Sequence, residues 1–513
     1  MISGNHPCPV LAAIALHASR DPESIALSGA ECAVTYAGLS AAVEHAAGHL
    51  RDSSPRVIGL AMDNGPAWVV VDLAAMQAGV PVVPLPAFFS IGQILHAIRD
   101  AGIDCIHTDQ PEFFDKLLLD AGISIVSRNE CQIHGQAVTE FRFAGIAAAK
   151  LPAGTVKVTY TSGTTGNPKG VCLDMDAIEQ VAFSLLEATE ASPADRHVSL
   201  LPLSTLLENI AGLYVPLLAG ASTTLLPFEA IGLKGASGLD VRKMTNVLAA
   251  NSASTTILTP EMLQGLVTAV EAGHPVPARL RFVAVGGAPV AERLLQRALA
   301  LGIPAYEGYG LSECASVVSL NMKSRACIGS AGHPLPHVRL AFAEDGEILV
   351  GGATLLGYTG NTECPLADGY WPTGDRGYLD EQGFLHITGR KKNLFITSFG
   401  RNVSPEWVER ELTLYPTIAQ AAVFGEARPW NVAVIVPRGN LPAVADEIEQ
   451  AIADANTQLP DYARVRRWIR ANAPFTPQNG QMTPNGRLRR DAIRALYQFQ
   501  IDSLYEETND AVL

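Results

Sequence analysis

The sequence is poor in charged residues and lacks the features of several protein classes. Asp, Glu, Lys and Arg make up 17% of the 513 residues, whereas apolar residues make up 48%. Disordered chains are rich in charge and poor in apolar residues, so this composition excludes a mainly disordered protein and predicts large buried cores. At about 100 to 200 residues per domain, the length allows roughly two to four domains.

Long hydrophobic runs are also missing. After the first apolar stretch, Pro9–Ala18, no later segment offers the roughly 18 consecutive apolar residues that a membrane-spanning helix needs. Pro9–Ala18 itself is too short to span a bilayer, and no basic run precedes it as in a secretory signal. We interpret this stretch as an amphipathic helix and expect a protein without a transmembrane segment.

The cysteines show no regular spacing. The chain has 8 of them, and no two are separated by two residues. The absence of a Cys-x-x-Cys pair argues against a zinc cluster and against a disulfide framework. A reducing, cytoplasmic location fits this pattern best.

Basic charge is in deficit. The chain carries 37 Lys and Arg against 51 Asp and Glu, which gives a formal net charge of −14. Such a molecule repels a polyanion, so nucleic-acid binding is disfavoured. Any phosphate that the protein binds must be held by a local site.

The order of apolar runs indicates the fold class. Short apolar runs alternate with helix-like segments through most of the chain, as is typical of parallel strands joined by crossover helices. Residues 339–385 are instead dense in Gly, turns and alternating aromatics, which predicts hairpins or a small barrel. Beyond residue 390 we predict a compact α+β unit with strands at 421–424 and 432–436 and helices at 405–414 and 441–456.

One segment carries a strong chemical signal. Residues 161–170 read TSGTTGNPKG and follow a strand-like run. Backbone N–H groups and hydroxyls in such a loop can wrap phosphate oxygens, and Lys169 adds a positive charge. The spacing differs from Walker A, because Gly163 lies six residues before Lys169 and a Gly follows the Lys. The predicted phosphate-binding residues are Thr161, Ser162, Gly163, Thr164, Thr165, Gly166 and Lys169.

This loop resembles the phosphate loop of the adenylate-forming superfamily, which includes acyl-CoA synthetases, luciferases and peptide-synthetase adenylation domains. Further motifs of the family follow in the family's order along nearly the whole chain. They are GGAP at 286–289, EGYGLSE at 307–313, PTGD at 372–375, GRKKN at 389–393 and TPNGRLRR at 483–490.

The resemblance implies roles for the residues of these motifs. The adenine site would comprise Gly286, Gly287, Ala288 and Tyr309, with the Tyr309 ring stacked on the base. Gly310 and Ser312 would also bind the nucleotide, Ser312 through a hydroxyl where the family usually has Thr.

Charged residues complete the implied site. Glu313 would hold Mg²⁺, since a hard cation that bridges phosphate oxygens prefers carboxylate ligands. Asp375 would accept hydrogen bonds from both ribose hydroxyls, and Arg390 would contact ribose and phosphate. Lys392 stands at the hinge position of the family.

The chain departs from the family pattern at its last motif. Family members usually have a Lys where this chain has Arg487, and that Lys bridges the carboxylate substrate and the nucleotide. Arg keeps the charge but is bulkier and planar. Arg487 either fills the role with altered adenylation, or is a surface residue in a chain weak in the first half-reaction.

A second departure lies in the segment LPLSTLLENIAG at 201–212. Many acyl-CoA synthetases have His or an aromatic residue where Thr205 falls, whereas Glu208 is kept. The Asp that would pair with an amino group in a peptide-synthetase domain is missing. Thr205, Leu206 and Glu208 are the predicted substrate residues, although leucines here could equally form a core helix.

The resemblance thus implies an α/β fold with a large multi-subdomain N-terminal body, residues 1–391, made of α/β layers and a small β-barrel-like part. A small mobile α+β lid would follow at 392–513. The expected enzyme is an AMP-forming acid–thiol ligase that uses ATP and Mg²⁺ to activate an apolar carboxylic acid, a fatty acid above all, and transfers it to coenzyme A. The alternatives are an acyl-AMP ligase that loads the phosphopantetheine of an acyl carrier protein, or a nucleotide-binding protein with weak adenylation.

Overall fold

The computed structural model describes residues 8–161, 168–234, 238–361, 366–438, 444–483 and 486–506. The helices are α1 Pro9–Arg20, α2 Tyr36–Ser53, α3 Pro66–Ala78, α4 Ile91–Asp100, α5 Pro111–Asp120, α6 Met175–Ala188, α7 Val215–Ala219, α8 Phe228–Ile231, α9 Val241–Ala250, α10 Pro260–Glu271, α11 Glu292–Ala300, α12 Pro405–Thr413, α13 Val444–Asn456 and α14 Arg490–Glu506. Among the helices of these ranges, none combines the length and apolar composition needed to cross a lipid bilayer.

The strands are β1 Ile25–Ser28, β2 Ala33–Thr35, β3 Ile58–Ala61, β4 Val82–Pro84, β5 Cys105–Thr108, β6 Ser124–Ile133, β7 Gln136–Ala144, β8 Lys157–Thr161, β9 Lys169–Leu173, β10 Arg196–Val198, β11 Ser222–Thr224, β12 Leu233–Lys234, β13 Gly238–Leu239, β14 Thr255–Leu258, β15 Phe282–Val285, β16 Ala305–Leu311, β17 Ser316–Leu320, β18 His333–Pro334, β19 Val338–Phe342, β20 Glu347–Gly352, β21 Gly357–Tyr358, β22 Trp371–Leu379, β23 Leu385–Arg390, β24 Phe395–Ile396, β25 Asn402–Val403, β26 Ile418–Phe424, β27 Asn431–Pro437 and β28 Val465–Arg470.

Two large sheets form the body of the first part of the chain. One has the strand order β18-β17-β16-β15-β14-β10-β11-β1-β2, and the other has the order β21-β9-β8-β4-β3-β5-β7-β6. Their central strands run parallel, for example β14 with β15 and β3 with β4, while the outer pairs are antiparallel. The predicted α/β class is confirmed, because apolar strands separated by helices form parallel sheets covered on their faces.

The segment with alternating aromatics forms strands, as predicted, but its sheet is open. Strands β19, β20, β22 and β23 lie side by side in that order. The first and last of these strands are not paired with each other, so the predicted barrel-like part is a four-stranded sheet in this structure. Within it, β22 and β23 form an antiparallel hairpin.

The chain divides into two compact units. The first comprises residues 1–287, 298–341 and 349–372, and the second comprises 288–297, 342–348 and 373–513. The predicted boundary between an N-terminal body ending at residue 391 and a mobile lid beginning at residue 392 stays a prediction.

The second unit contains a three-stranded sheet with the order β26-β27-β28. Successive side chains of β27 point to opposite faces of the sheet, as the pleat requires. Ala433 and Ile435 join one apolar core with α12 and α13, whereas Val432 and Val434 join another with α14. The predicted strands and helices of this unit are present, and residues 441–443 lie outside the described ranges.

A buried ion pair joins three elements of the first unit. The Nζ atom of Lys157, at the start of β8, lies 2.8 Å from a carboxylate oxygen of Asp72 in α3. Both side chains are almost fully buried, with exposed fractions of 2% and 0%. Asn209 and Tyr214, in a π-helical turn at Glu208–Tyr214, each hydrogen-bond to both Lys157 and Asp72. Burial lowers the pKa of Lys157, and the charge of Asp72 opposes that shift.

We predict that Lys157→Met lowers the free energy of unfolding of this unit by about 3–5 kcal/mol, because it leaves the Asp72 charge buried without its partner. The double variant Asp72→Leu/Lys157→Met should recover much of that loss, since it removes both charges. Urea denaturation followed by circular dichroism measures both effects.

The matched control is Lys116→Met in the exposed pair Lys116–Asp120, whose side chains are 78% and 62% exposed. Its effect should stay below about 0.5 kcal/mol. Equal effects of the buried and exposed substitutions would contradict the importance assigned to the buried pair.

Candidate active site

The predicted phosphate loop connects two antiparallel strands. Thr161 ends β8 and lies opposite Lys169, the first residue of β9. Lys169 is exposed, whereas the strand residues after it are buried. Residues Ser162, Gly163, Thr164, Thr165 and Gly166, predicted to bind phosphate, lie outside the described residues. The described part of the hairpin therefore fixes both ends of the loop.

The loop end of this hairpin is held by α4. The carboxylate of Asp100 accepts hydrogen bonds from the hydroxyls of Tyr160, at 2.8 Å, and Thr359. Burial raises the pKa of Tyr160, and the neighbouring Asp100 charge raises it further. Thr359 also donates its backbone N–H to the carbonyl of Gly170 at 2.9 Å. A Cβ atom on Gly170 would lie 2.6 Å from the Thr359 side chain, so this contact requires glycine.

Tyr358 links two predicted catalytic residues, and the motifs did not identify it. Its hydroxyl donates a hydrogen bond to Oε1 of Glu313 at 3.3 Å, and its ring lies 5.4 Å from Nζ of Lys169. The structure thus brings both residues to one tyrosine, Lys169 over the face of its ring and Glu313 at its hydroxyl. Burial raises the pKa of Tyr358, and the Glu313 carboxylate raises it further, so the hydroxyl keeps its proton. A weak signal for Tyr358 is present in the sequence, since this residue lies in the segment with alternating aromatics.

The backbone around Glu313 is tightly constrained. Ser312 and Glu313 lie in a single 3₁₀ turn, Ser312–Cys314, between β16 and β17. Ala315 and Ser316 follow with φ angles of 51° and 102°, a region that residues other than glycine seldom occupy. The carbonyl of Glu313 accepts a hydrogen bond from the backbone of Leu355 at 2.8 Å. The backbone of this turn is therefore strained, and it is held in one conformation together with the residue that carries the carboxylate.

The residues predicted to bind adenine end or follow neighbouring strands. Gly286 and Gly287 follow β15, and Tyr309 and Gly310 lie in β16, which runs parallel to β15. A Cβ atom on Gly286 would lie 3.7 Å from the Gly308 carbonyl oxygen and equally far from the Leu207 side chain. The structure thus brings together the glycine turn, β16 and the predicted substrate segment. Ala288, next in the chain, is exposed.

Glycine is required within β16 as well. A Cβ atom on Gly310 would lie 1.6 Å from the backbone oxygen of Ser316, too close for any side chain. A register shift between Tyr309 and Gly310 accompanies this close approach of β16 and β17. The shift re-aims the residues that lead to Ser312 and Glu313.

The predicted substrate residues differ in exposure to solvent: one is partly exposed and two are buried. Thr205 is partly exposed, although its hydroxyl is bonded to the carbonyl of Pro202 at 2.7 Å, and Leu206 is buried. Glu208 is fully buried, with an exposed fraction of 0%. One of its oxygens, Oε1, lies 2.6 Å from the hydroxyl of Ser199 and 3.0 Å from Nε2 of His197.

The role expected for Glu208 stays a prediction. Its Oε1 atom is held by two buried partners, whereas its Oε2 atom is buried and has no hydrogen-bond partner among the described residues. The π-helical turn that begins at Glu208 also carries the residues bonded to the buried ion pair. π-Helical turns are rare and occur frequently at functional sites. The part that Glu208 plays toward a substrate therefore stays a prediction.

The second unit carries the predicted ribose-binding pair. Asp375 in β22 lies opposite Arg390 in β23, and the Arg390 guanidinium lies 2.7 Å from the Asp375 carboxylate. Asp375 is buried and Arg390 is partly exposed. The next residue, Lys391, is paired with Asp345 and Glu347 at 2.6 and 2.8 Å. Lys392, the predicted hinge residue, is exposed.

Arg487 lies in an exposed turn of the same unit. Its backbone N–H donates to the hydroxyl of Thr483 at 3.0 Å, and its carbonyl accepts from the backbone N–H of Thr483 at 2.7 Å. The turn precedes α14. Its side chain is exposed, as a residue that acts on a bound substrate must be, and its role stays a prediction.

Comparison with known proteins agrees with this geometry. Residues 14–371 match the model of the AMP-binding enzyme family, and residues 392–509 match that of the AMP-binding enzyme C-terminal domain. The chain is 28% identical to long-chain-fatty-acid–CoA ligase FadD15 of Mycobacterium bovis over 86% of each chain. It is 29% identical to feruloyl-CoA synthase of an Amycolatopsis species, over 87% of this chain and 91% of that protein.

A solved structure shares the fold. The anthranilate CoA ligase AuaEII, in complex with anthranoyl-AMP, superposes with a TM-score of 0.77 at 16% identity, over 97% of this chain and 99% of that one. The resemblance inferred from the motifs is therefore confirmed. This chain belongs to the AMP-binding enzyme family, the adenylate-forming superfamily.

Proposed function

We propose that this enzyme activates a fatty acid with ATP and transfers the acyl group to coenzyme A. The observation that carries the proposal is the placement of Lys169, Tyr358 and Glu313 beside the phosphate hairpin, in a chain of the AMP-binding enzyme family. Family membership and relatives named as CoA ligases support the coarser part, adenylation of a carboxylic acid and ligation to coenzyme A.

The reaction has two steps. The substrate carboxylate attacks the α-phosphorus of ATP, the bond to the β-phosphate oxygen breaks, and acyl-AMP and pyrophosphate form. The thiol of coenzyme A then attacks the acyl carbon, loses its proton, and expels AMP. No protein nucleophile is needed, so the residues act by positioning the reactants and by neutralising phosphate charge.

The residues beside the hairpin fit a triphosphate and its metal ion. Lys169 supplies an exposed positive charge next to the hairpin loop. Glu313 supplies a carboxylate, the type of ligand that Mg²⁺ prefers, and Tyr358 orients it. When bound, Mg²⁺ would neutralise charge on the phosphate oxygens. The net negative charge of the chain does not oppose triphosphate binding, because positive charge is needed only at the phosphate site.

The apolar nature of the substrate segment supports a fatty acid. Leu206, Ile210 and Leu213 are all buried, and Leu207 reaches the glycine turn. The segment offers no exposed carboxylate for a substrate amino group, since Glu208 is enclosed. The name of the FadD15 relative supports a long-chain fatty acid, whereas that of the feruloyl-CoA synthase relative supports an aromatic acid.

A pyrophosphate-release screen tests this proposal. Straight-chain fatty acids, aryl acids and amino acids are compared, each with and without coenzyme A. We expect pyrophosphate with fatty acids, and acyl-CoA and AMP only when coenzyme A is present. Preference for aryl acids would overturn the substrate class alone. Acyl-AMP that is passed to a carrier-protein phosphopantetheine but not to coenzyme A would overturn the acceptor.

We predict that Arg487→Ala lowers the rate of ATP–pyrophosphate exchange by about 10²-fold, the loss typical of removing one group that stabilises transition-state charge. Arg487→Lys should keep most of the rate, because it keeps the charge. The control is Arg489→Ala, an exposed arginine two residues further along the same segment. The control should exchange at the wild-type rate. If both Arg487 variants also do so, Arg487 does not bridge the substrates.

We also predict that Tyr358→Phe raises the Mg²⁺ concentration needed for half-maximal exchange about 3- to 10-fold. The bond to Glu313 is long, at 3.3 Å, so its loss should cost about 1 kcal/mol, within the range of an ordinary hydrogen bond, and Glu313 would lose its orientation. Exchange rates measured across a Mg²⁺ titration show the effect. Tyr378→Phe, which alters an exposed ring stacked on His386, should leave the titration unchanged. An unaltered Mg²⁺ dependence in Tyr358→Phe would contradict the role of this hydroxyl.

A further inference from the structure

Four side chains with metal-binding atoms converge on one face of the eight-stranded sheet. Cys105 and His107 lie two residues apart in β5 and therefore point to the same face. Glu140 in β7 lies directly opposite His107 in the antiparallel pairing. His49 reaches this group from α2.

Three of these side chains hold ligand atoms close enough to bind one ion, and the fourth, His49, contacts one of the three. Nε2 of His49 lies 2.8 Å from Oε2 of Glu140, and Nε2 of His107 lies 3.3 Å from the same oxygen. Nδ1 of His107 lies 3.8 Å from Sγ of Cys105. One ligand atom from each of Cys105, His107 and Glu140 lies within 4.8 Å of the other two. Ligands bonded to one Zn²⁺ at 2.0 to 2.3 Å must themselves lie roughly 3 to 4 Å apart.

We propose that Cys105, His107, Glu140 and His49 form a zinc site. Zn²⁺ is bound in proteins by just these ligand types, thiolate, imidazole and carboxylate, usually four of them in a tetrahedron. For all four to bind one ion, the His107 ring must present a single nitrogen to it, because its Nδ1 now faces Cys105 and its Nε2 faces Glu140, and the exposed His49 side chain must turn toward the other three. A softer, sulfur-containing set of this kind disfavours Mg²⁺ and Ca²⁺, which prefer oxygen ligands.

Burial and position indicate a structural site. Cys105 is fully buried, and His107 and Glu140 are nearly so, whereas the His49 side chain is 53% exposed. The half-exposed imidazole leaves a path for the ion to enter. Strands β3 and β4 separate β5 from β8 and its phosphate loop, so the ion would not touch the reacting groups. It would join α2 to the β5–β7 pair with four protein ligands.

The absence of a Cys-x-x-Cys pair disfavours only those zinc sites whose ligands lie close together in the chain. Here only the Cys-x-His spacing at 105–107 is local, and the other two ligands depend on strand pairing and helix packing. The competing explanation is a hydrogen-bonded network of the same four side chains without an ion.

Titration of the metal-free full-length protein with Zn²⁺ tests the proposal. We expect one equivalent to bind in calorimetry and in equilibrium dialysis with elemental analysis, and the thermal midpoint to rise with Zn²⁺. Co²⁺ in its place should give a sulfur-to-cobalt charge-transfer band. Cys105→Ser should abolish that band, and His49→Ala should weaken Zn²⁺ binding more than about tenfold, the loss that removal of even an outer-shell partner can cause.

Matched variants keep the test decisive. Cys131→Ser removes an exposed thiol from the neighbouring strand β6 and should bind Zn²⁺ as the wild type does. His49→Ala changes a half-exposed side chain and is expected to fold, which circular dichroism checks. The proposal is overturned if the wild type binds no stoichiometric Zn²⁺, or if His49→Ala and Cys105→Ser bind it with unchanged affinity.

Discussion

The buried pair of Lys157 and Asp72 is the interaction on which the rest of the site depends. Two charges removed from water are stable only in close contact with each other and with further hydrogen bonds, here from Asn209 and Tyr214. This requirement fixes the start of β8 against α3 and the π-helical turn. Because β8 ends four residues later, at Thr161, the same pair positions the end of β8 relative to the substrate segment.

Much of the fold and part of the site could be predicted from local sequence. Apolar runs such as β14 and β27 can be recognised as strands from their own residues, without knowledge of the strands they pair with. The phosphate loop, the glycine turn and the 307–313 motif are each formed by consecutive residues and can be recognised in the same way. The phosphate-binding chemistry of the loop with Lys169 follows from residue type and spacing, whereas the role of Glu313 is implied by the family resemblance. Nothing local shows that both residues contact the same tyrosine.

What could not be predicted depends on pairing across long stretches of chain. Glu208 looks like a substrate residue in its motif, and only the packing of His197 and Ser199 around it shows that it is enclosed. His107 and Glu140 meet because β5 and β7 pair in one register, and a shift by one residue would send Glu140 to the other face. Lys157 gave no signal, since a lysine at the start of a strand is normally exposed.

The two residues with positive φ after Glu313 show a compromise between stability and function. A backbone held in such a conformation costs of order 1–3 kcal/mol per residue, and the surrounding hairpin must compensate for it. A relaxed turn would make the protein more stable and would let the Glu313 carboxylate move. If Glu313 holds Mg²⁺ as proposed, engineering for heat resistance that begins with this turn would trade catalytic competence for stability, whereas substitutions far from it would not.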